Sequence, residues 1–504
     1  MPKCVEMRGI VKQYPLVRAV DHVDFSVHCG EIHSLLGENG AGKTCLMRIL
    51  YGMTMPDEGR ILIDGKETVF HSPKDAIKNG IGMVHQHFLL SPVMTVTENI
   101  IVGKEPVTEH HLLDMDDACG KVQKLIDTYH FGIDARAKVQ SLSVGEQQRV
   151  EILKAIWRGA QILILDEPTA VLTPQEVDEL FLIMRRLKAA GTGIVIITHK
   201  LKETLAIADT ISVLRSGKMI RHRQSLGGVT MEELATMMVG REVELNVHSD
   251  KKPTGKPYFS VKHCTLSDHG IQVLKDISFS IRRGEILGIA GVEGNGQSEL
   301  AEVLTGLRKP DRGEMYKGEE RVEGDAKTMI HKKIGHIPED RLVRGLITEM
   351  SVATNIILGY HDDRRFVRHG FLDGKAIVAY ANTMINEYQI KTPNARARVS
   401  SLSGGNQQKI VVARVISQDP DVLVVCQPTR GVDVGAMEYI HHRILDLKER
   451  GKAVVLISAD LDEVMNLSDR IAVMYEGRIV AIKDKDDVTF DELGLLMTGG
   501  ADHA

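Results

Sequence analysis

GENGAGKT, residues Gly37–Thr44, decides the fold of this chain, and a related stretch, GVEGNGQS, recurs at Gly291–Ser298. The first stretch follows an apolar run and precedes an amphipathic one, which predicts a glycine-rich turn between a strand and a helix. Glycines in such a turn let backbone N–H groups surround phosphate oxygens, and the positive end of the helix faces the same place. The sequence therefore predicts a phosphate-binding loop in each half of the chain.

The likeness between the halves extends beyond these loops. LSVGEQQ at Leu142–Gln148 matches LSGGNQQ at Leu402–Gln408, and ILILDEPT at Ile162–Thr169 matches VLVVCQPT at Val422–Thr429. Because the match covers several separated segments in the same order, it indicates a duplicated domain rather than coincidence.

Each half is predicted to be one domain of the α/β class. Buried strands of a parallel sheet are indicated by IVIIT at Ile194–Thr198 and AVVLIS at Ala453–Ser458. We expect the domains to span residues 1–246 and 258–504. The segment 247–257 is expected to be a linker, because it contains the short, charged, proline-bearing stretch KKPTGKP.

Composition narrows the possible functions. The formal net charge of the 504 residues is −5, whereas nucleic-acid-binding proteins are more often basic. We therefore do not expect RNA or DNA to be the main partner. No apolar run approaches the length of a membrane span and the N-terminal stretch lacks the apolar segment of a signal peptide, so we expect other chains to supply any membrane pore. The six cysteines form no C-x-x-C pair and are expected to be free thiols in a reducing compartment.

The first half carries a complete set of groups for hydrolysis of a nucleoside triphosphate. Lys43 is predicted to contact the β- and γ-phosphates, and Thr44 offers a hydroxyl to Mg²⁺. Asp166 and Glu167 end an apolar strand; the first is expected to hold hydrated Mg²⁺ and the second to polarise the attacking water. The candidate nucleotide-binding residues of this loop are Gly37, Glu38, Asn39, Gly40, Ala41, Gly42, Lys43, Thr44 and Cys45.

Cys45 admits two interpretations. It directly follows Thr44 at a helix start, where thiolates are favoured, so it is a candidate reactive thiol that ATP would protect. The alternative is a buried small apolar residue.

With the two LSxGxQQ peptides included, the sequence resembles ATP-binding subunits of ABC transporters, and more closely the fused twin-cassette ATPases of bacterial simple-sugar and nucleoside importers. The resemblance covers essentially the whole chain. Its most specific pieces are MVHQHFLLSPVMTVTENI after Gly82, EPTAVLTPQE from Glu167, PEDR from Pro338 and QPTRGVDVGA from Gln427. It implies two tandem P-loop ATPase domains, each a mostly parallel sheet with helices, an antiparallel β part and a helical subdomain that bears the signature peptide.

The resemblance also implies the remaining site residues. In that family the cassettes pack head to tail, and each ATP lies between the phosphate loop of one half and the signature peptide of the other. Tyr14 matches the aromatic that stacks on adenine, Gln86 the glutamine that senses Mg²⁺ and the membrane partner, and His199 the histidine that contacts the γ-phosphate. The implied cofactors are ATP and Mg²⁺. The signature residues that would complete the first site are Ser403, Gly404, Gly405 and Asn406.

The second half has lost the reactive groups. Gln297 replaces Lys43, Cys426 replaces Asp166, Gln427 replaces Glu167, Ala459 replaces His199 and Glu339 replaces Gln86. One catalytic site and one degenerate site are therefore predicted, since loss of a positioned base alone typically costs about 10²–10⁴ in rate. The second loop keeps the backbone cradle, so either nucleotide binding as a slow clamp or an empty site is possible. The cradle residues are Gly291, Gly294, Gly296 and Ser298.

The expected function is that of the energy-coupling ATPase of an importer for simple sugars or nucleosides, with nucleosides favoured. The expected partners are permease subunits, contacted through His87–Asn99 and a region after Glu339, and indirectly a substrate-binding protein. The expected location is the cytoplasmic face of the cell membrane. The alternatives are a soluble twin-cassette translation factor and a non-catalytic nucleotide-binding scaffold.

Overall fold

The computed structural model describes residues 4–15, 17–85, 88–107, 113–169, 172, 174–244, 247, 249, 251, 253–292, 294–497 and 499. The described residues divide into two compact units, Met1–Val243 and Glu244–Ala504. In each unit an antiparallel sheet lies beside a mostly parallel sheet that carries helices. None of the described helices is both long enough and apolar enough to cross a membrane.

The first unit combines the strands of two sheets with the helices that connect them. Its strands are β1 (Cys4–Tyr14), β2 (Val17–His28), β3 (Ile32–Leu36), β4 (Glu58–Ile63), β5 (Lys66–Thr68), β6 (Ile81–Val84), β7 (Ile162–Asp166), β8 (Gly193–Thr198), β9 (Thr210–Arg215) and β10 (Lys218–Ser225). Its helices are α1 (Lys43–Leu50), α2 (Pro73–Lys78), α3 (Val96–Ile101), α4 (Met115–Tyr129), α5 (Val144–Trp157), α6 (Pro174–Ala189), α7 (Leu201–Ile207) and α8 (Met231–Val239).

The central sheet of the first unit has the order β10-β9-β3-β8-β7-β6. Its strands are parallel except β10, which pairs antiparallel with β9. Strands β3, β7 and β8 are buried along their whole length, as expected for apolar runs covered on both faces. Because these neighbouring strands run in one direction, the residues that follow them meet at one edge of the sheet. The antiparallel sheet has the order β2-β1-β4-β5.

The second unit repeats this plan. Its strands are β11 (Thr254–Asp268), β12 (Ile271–Arg283), β13 (Ile286–Ala290), β14 (Arg312–Lys317), β15 (Glu320–Val322), β16 (Ile334–Ile337), β17 (Val367–Arg368), β18 (Phe371–Leu372), β19 (Val422–Cys426), β20 (Ala453–Ile457), β21 (Arg470–Tyr475) and β22 (Arg478–Asp484). Its helices are α9 (Gln297–Leu304), α10 (Ala326–His331), α11 (Val352–Ile356), α12 (Gly374–Glu387), α13 (Gly404–Ile416), α14 (Val434–Glu449), α15 (Leu461–Leu467) and α16 (Phe490–Met497). The sheets have the orders β12-β11-β14-β15 and β16-β19-β20-β13-β21-β22, and β17 pairs with β18.

The connection between the halves differs from the linker expected over 247–257. The backbone N–H of Glu244 donates to the Glu438 carboxylate (2.8 Å), and Val247 is buried in the core of the second unit. Strand β11 begins at Thr254, so the end of that segment belongs to a strand. The chain thus joins the second unit before the proline-bearing stretch, while the domain limits 1–246 and 258–504 stay a prediction.

Candidate functional site

The first phosphate loop joins β3 to α1. Gly42 has φ 104°, and a Cβ added there would lie 2.2 Å from the carbonyl oxygen of Ala19, so this position accepts only glycine. Gly40 has φ 81°, and a Cβ added there would meet nothing within 4 Å. The glycines that the sequence singled out therefore shape a concave backbone surface at the start of α1.

Lys43 is fixed over this loop. Its side chain is buried, and the ammonium Nζ donates to the carbonyl oxygens of Gly37 (2.5 Å) and Glu38 (3.0 Å). The loop backbone thus holds the Lys43 ammonium group at the opening of the loop. Such a preorganised cation suits the negatively charged phosphates of a nucleotide.

Glu167 and His199 lie together at the ends of the neighbouring strands β7 and β8. The His199 ring Nδ1 is 3.0 Å from the Glu167 Oε1, and this hydrogen bond lowers the pKa of Glu167. Glu167 has φ 48°, and its N–H donates to the Ile197 carbonyl oxygen (2.9 Å). A side-chain-bearing residue held in the left-handed region is a strained feature that occurs often at functional sites. The arrangement supplies an ionised carboxylate whose orientation is set by an imidazole.

Asp166 is buried at the end of β7. Burial and the neighbouring Glu167 carboxylate raise the pKa of Asp166 to about 6, against an opposing effect of Lys43. A bound cation relieves this kind of electrostatic penalty, and Mg²⁺ accepts carboxylate and hydroxyl oxygens while it keeps several waters. Asp166 and the exposed Thr44 hydroxyl therefore fit Mg²⁺. Within the described residues, no cluster of three or more His, Cys, Asp or Glu side chains is placed to hold a metal by itself.

Tyr14 and Cys45 lie near the loop, and the burial of the cysteine bears on its two interpretations. Tyr14 is 41% exposed, so it is not a core residue, and its hydroxyl is 3.9 Å from the Cys45 Sγ. Burial raises the pKa of the Cys45 thiol. A raised pKa disfavours the thiolate and supports the apolar interpretation, and the reactivity of Cys45 stays a prediction. Gln86 and His87 lie outside the described residues.

The two signature peptides differ in how they begin their helices. Ser143 caps α5 through a reciprocal capping box with Glu146. Ser403, at the start of α13, makes no such cap; its hydroxyl accepts a hydrogen bond from the Asn406 side chain (2.9 Å). Gly404 and Gly405 form the first turn of α13. The helix start in the second unit thus lacks the acidic cap of its counterpart.

The second phosphate loop keeps the geometry of the first without its charge. Gln297 Nε2 donates to the Val292 carbonyl oxygen (3.1 Å), the same type of contact that Lys43 makes in the first loop. Cys426 is buried at the end of β19, and burial raises its pKa far above the ordinary value. Gln427 follows Cys426 and has φ 46°, so its backbone has the same strained, left-handed conformation as that of Glu167 in the first unit.

The structure shows further contacts and positions in the second unit that the motifs did not reveal. Glu339 accepts a hydrogen bond from the Ser298 hydroxyl (3.0 Å) and pairs with the Arg430 guanidinium (2.6 Å). Asp268 occupies the position of Tyr14, because each pairs with the first residue of the next strand. The stretches PEDR and TRGVD contained Glu339 and Arg430, but their contact spans 91 positions and no local pattern reveals it.

The fold is shared with a solved structure over nearly the whole chain. The structure of an archaeal ribosome recycling factor in complex with the ribosomal stalk protein aP1 matches with a TM-score of 0.64 and 18% identity, over 97% of this chain and 92% of that one. At this identity the likeness shows the fold alone. The family model described as ABC transporter matches residues 20–170 and 274–430.

Similar relatives span the full length. A nucleoside import ATP-binding protein of Lactococcus lactis is 45% identical over 98% of both chains. A guanosine import ATP-binding protein of Bacillus subtilis is 44% identical over 99% of this chain and 98% of its own length. A glucose import ATP-binding protein of Haloferax volcanii is 44% identical over 99% of this chain and 96% of its own. The chain therefore belongs to the ABC transporter family, as an ATPase built from two ATP-binding cassettes.

Proposed function

We propose that this chain is the energy-coupling ATPase of an importer, with ATP hydrolysis confined to the site of the first half. The observation that carries the proposal is the pairing of Glu167 with His199 at 3.0 Å, at the sheet edge that follows β7 and β8. The second half has Gln427 and Ala459 at these positions. An amide and a methyl group supply neither a base nor an imidazole, so the second half lacks the groups that would activate the attacking water.

Each residue of the first site has a distinct task. The loop N–H groups and Lys43 bind the β- and γ-phosphates, and Tyr14 stacks on the adenine. Glu167 accepts a hydrogen bond from the attacking water and takes its proton, while His199 holds that carboxylate and contacts the γ-phosphate. Thr44, Asp166 and Gln86 would hold Mg²⁺, which neutralises the charge on the phosphate oxygens when bound.

The signature peptide of the second half completes this site in our proposal. A head-to-tail arrangement of the two halves would bring Ser403, Gly404, Gly405 and Asn406 to the γ-phosphate. The start of α13, which no acidic side chain of the signature caps, supports the assignment because its N–H groups suit an anion. ATP would then close the two halves, and hydrolysis would let them reopen.

The proposed partners are membrane-embedded permease subunits, and the proposed location is the cytoplasmic face of the membrane. The contact would use the stretch His87–Asn99 and a region after Glu339, with a substrate-binding protein as an indirect partner. A pocket beside the described part of that stretch, lined by His85, Leu89 and Glu151 among others, supports a docking function. The cargo is a nucleoside or a simple sugar. Nucleosides are favoured because two of the relatives at 44–45% identity are named for nucleoside import.

A matched pair of variants tests the division of labour between the halves. Phosphate release and cargo uptake are measured with the reconstituted transporter, for Glu167→Gln and for Gln427→Glu. We expect the first change to lower turnover by about 10²–10⁴, because a positioned base is lost. The second change should leave turnover within about twofold of wild type, because one carboxylate does not restore a site that lacks the other groups. Sustained uptake by the Glu167→Gln variant would contradict the proposal.

A further inference from the structure

The signature helices of the two halves begin with different residues. Helix α5 begins at Val144, whose side chain is 43% exposed, and helix α13 begins at Gly404. A Cβ added at Gly404 would lie 2.7 Å from the Arg341 Nη2 and 3.1 Å from the carbonyl oxygen of Gly431. In the second unit, the Arg341 guanidinium therefore occupies the place where a side chain begins in the first unit.

Arg341 reaches this place from the segment that follows β16. It begins the helical turn Arg341–Gly345, and its Nη1 donates to the carbonyl oxygen of Arg430 (2.8 Å). The Arg430 side chain pairs in return with Glu339 (2.6 Å), so two contacts join this segment to the turn that follows β19. The residue at the matching distance after β6 in the first unit is Phe88, which has no guanidinium. The first unit therefore cannot make this contact at the corresponding position.

The guanidinium of Arg341 is held at a cost in free energy. Burial lowers the pKa of Arg341, and the neighbouring Asp340 carboxylate opposes this effect only in part. The Nε of Arg341 is buried without a hydrogen-bond partner among the residues that the structure describes. A partly buried cation with an unsatisfied donor destabilises the folded state, so its place beside the signature helix calls for a functional explanation.

Ser403, which precedes Gly404, is oriented by a second set of contacts. The Asn406 Nδ2 donates to the Ser403 hydroxyl (2.9 Å), and the Asn406 Oδ1 accepts a hydrogen bond from the Lys391 N–H (2.7 Å). These bonds fix Ser403 relative to the segment that follows α12, whereas Arg341 lies against the adjacent Gly404. A displacement of Gly404 would also move the Ser403 hydroxyl, because the two residues are consecutive. In catalytic sites a misplacement of about 1 Å can cost ~10²-fold in rate.

We infer that Arg341 is a positioning residue for ATP hydrolysis in the site of the first half. Its guanidinium fixes the start of α13 against the turn Arg430–Gly431, and it acts on the reaction through the Ser403 hydroxyl rather than by touching the nucleotide. The inference deepens the proposed function and rests on it, because that proposal assigns Ser403 to the first site.

The test begins with Arg341→Ala in the full chain, reconstituted with its transporter. We expect kcat for phosphate release to fall by at least ~10-fold, while KM for ATP stays within about threefold of wild type, because the first phosphate loop is unchanged. Guanidinium chloride, far below its denaturing concentration, should raise the turnover of this variant by at least ~3-fold, and sodium chloride at the same concentration should not. The control Arg321→Ala, at an exposed arginine that pairs with Glu314, should keep wild-type turnover.

Gly404→Ala tests the same contact from the other side. Its Cβ would displace the guanidinium, which is the mobile end of a side chain, so turnover should fall as in Arg341→Ala. The double variant should then be no more than about twofold slower than the slower single variant, because both changes remove one contact.

Four results would each overturn the inference: turnover of Arg341→Ala within about twofold of wild type, a defect confined to KM, no recovery with guanidinium ion, or losses that multiply in the double variant. Failure of the proposed function would show separately, as turnover that survives Glu167→Gln.

Discussion

Replacement of Asp166 by Asn should stabilise the nucleotide-free first unit. Burial and the Glu167 carboxylate raise the pKa of Asp166 from 3.8 to about 6. Since one pKa unit corresponds to about 1.4 kcal/mol, ionisation of Asp166 costs the folded state about 3 kcal/mol relative to the unfolded state. Asparagine has nearly the same shape and no charge, so the variant avoids this cost.

The sign of the pH dependence follows from the raised pKa. Between about pH 4 and 6 the folded state binds more protons than the unfolded state, so the contribution of Asp166 to stability is fully present below 3.8 and is lost as the pH rises through about 6. We therefore expect Asp166→Asn to raise the free energy of unfolding by up to about 3 kcal/mol at pH 7.5 and by little at pH 4.

The sequence offers a clean reporter for this measurement. Trp157 is its only tryptophan, it lies in α5 of the same unit, and its indole Nε1 donates to the Lys104 carbonyl oxygen (3.1 Å). Denaturant unfolding in EDTA, followed by this fluorescence from pH 4 to 8, gives the difference between wild type and variant. A variant less stable than wild type at pH 7.5, or a difference that does not change with pH, would refute the reasoning. The same variant should lose ATP hydrolysis. The Asp166 carboxylate would then be a group that lowers the stability of the unit but is needed for its function.

Two further predictions follow from the first phosphate loop. Gly42→Ala should destabilise the first unit by at least about 2 kcal/mol and abolish nucleotide binding, because its Cβ would overlap the Ala19 carbonyl oxygen; Trp157 fluorescence and ATP titration measure both effects, and near-wild-type stability would contradict the clash. Cys45 should react with iodoacetamide no faster than a free cysteine at pH 7, because burial raises its pKa; mass spectrometry of partly alkylated protein measures the rate, and rapid modification would contradict the assignment of a protonated thiol.

Local sequence predicted the parts of the fold that short-range physics determines. The strand expected at Ile194–Thr198 is β8, Gly193–Thr198, and the loop expected at Gly37–Thr44 lies between β3 and α1. Continuous β-branched runs and glycines with left-handed backbone angles determine the backbone conformation within a few residues. These features need no knowledge of distant contacts.

The features that the sequence did not predict depend on distant partners. Thr254 belongs to β11 because it pairs antiparallel with Arg283, and Val247 is buried because the second unit covers it. The KKPTGKP stretch carries linker composition, yet long-range pairing takes its last residues into a sheet. The raised pKa of Cys45 has a related origin, since the burial of this thiol depends on the whole fold around α1. Composition and local motifs report intrinsic preference, and tertiary contacts override it at these positions.

The contrast between Glu167 and Gln427 separates what the fold needs from what the chemistry needs. Both residues have a positive φ, 48° and 46°, and both donate their N–H to the neighbouring strand, to Ile197 and Ile457. A strained backbone of this kind costs about 1–3 kcal/mol, and the second unit retains it although an amide replaces the carboxylate. The strain therefore belongs to the turn that leaves the strand, and catalysis in the first unit uses a geometry that the fold already imposes. It follows that the two halves differ in their side-chain charges rather than in their scaffold, and that restoring only Lys, Asp, Glu and His to the second half would leave Glu339 and Arg430 across its loop.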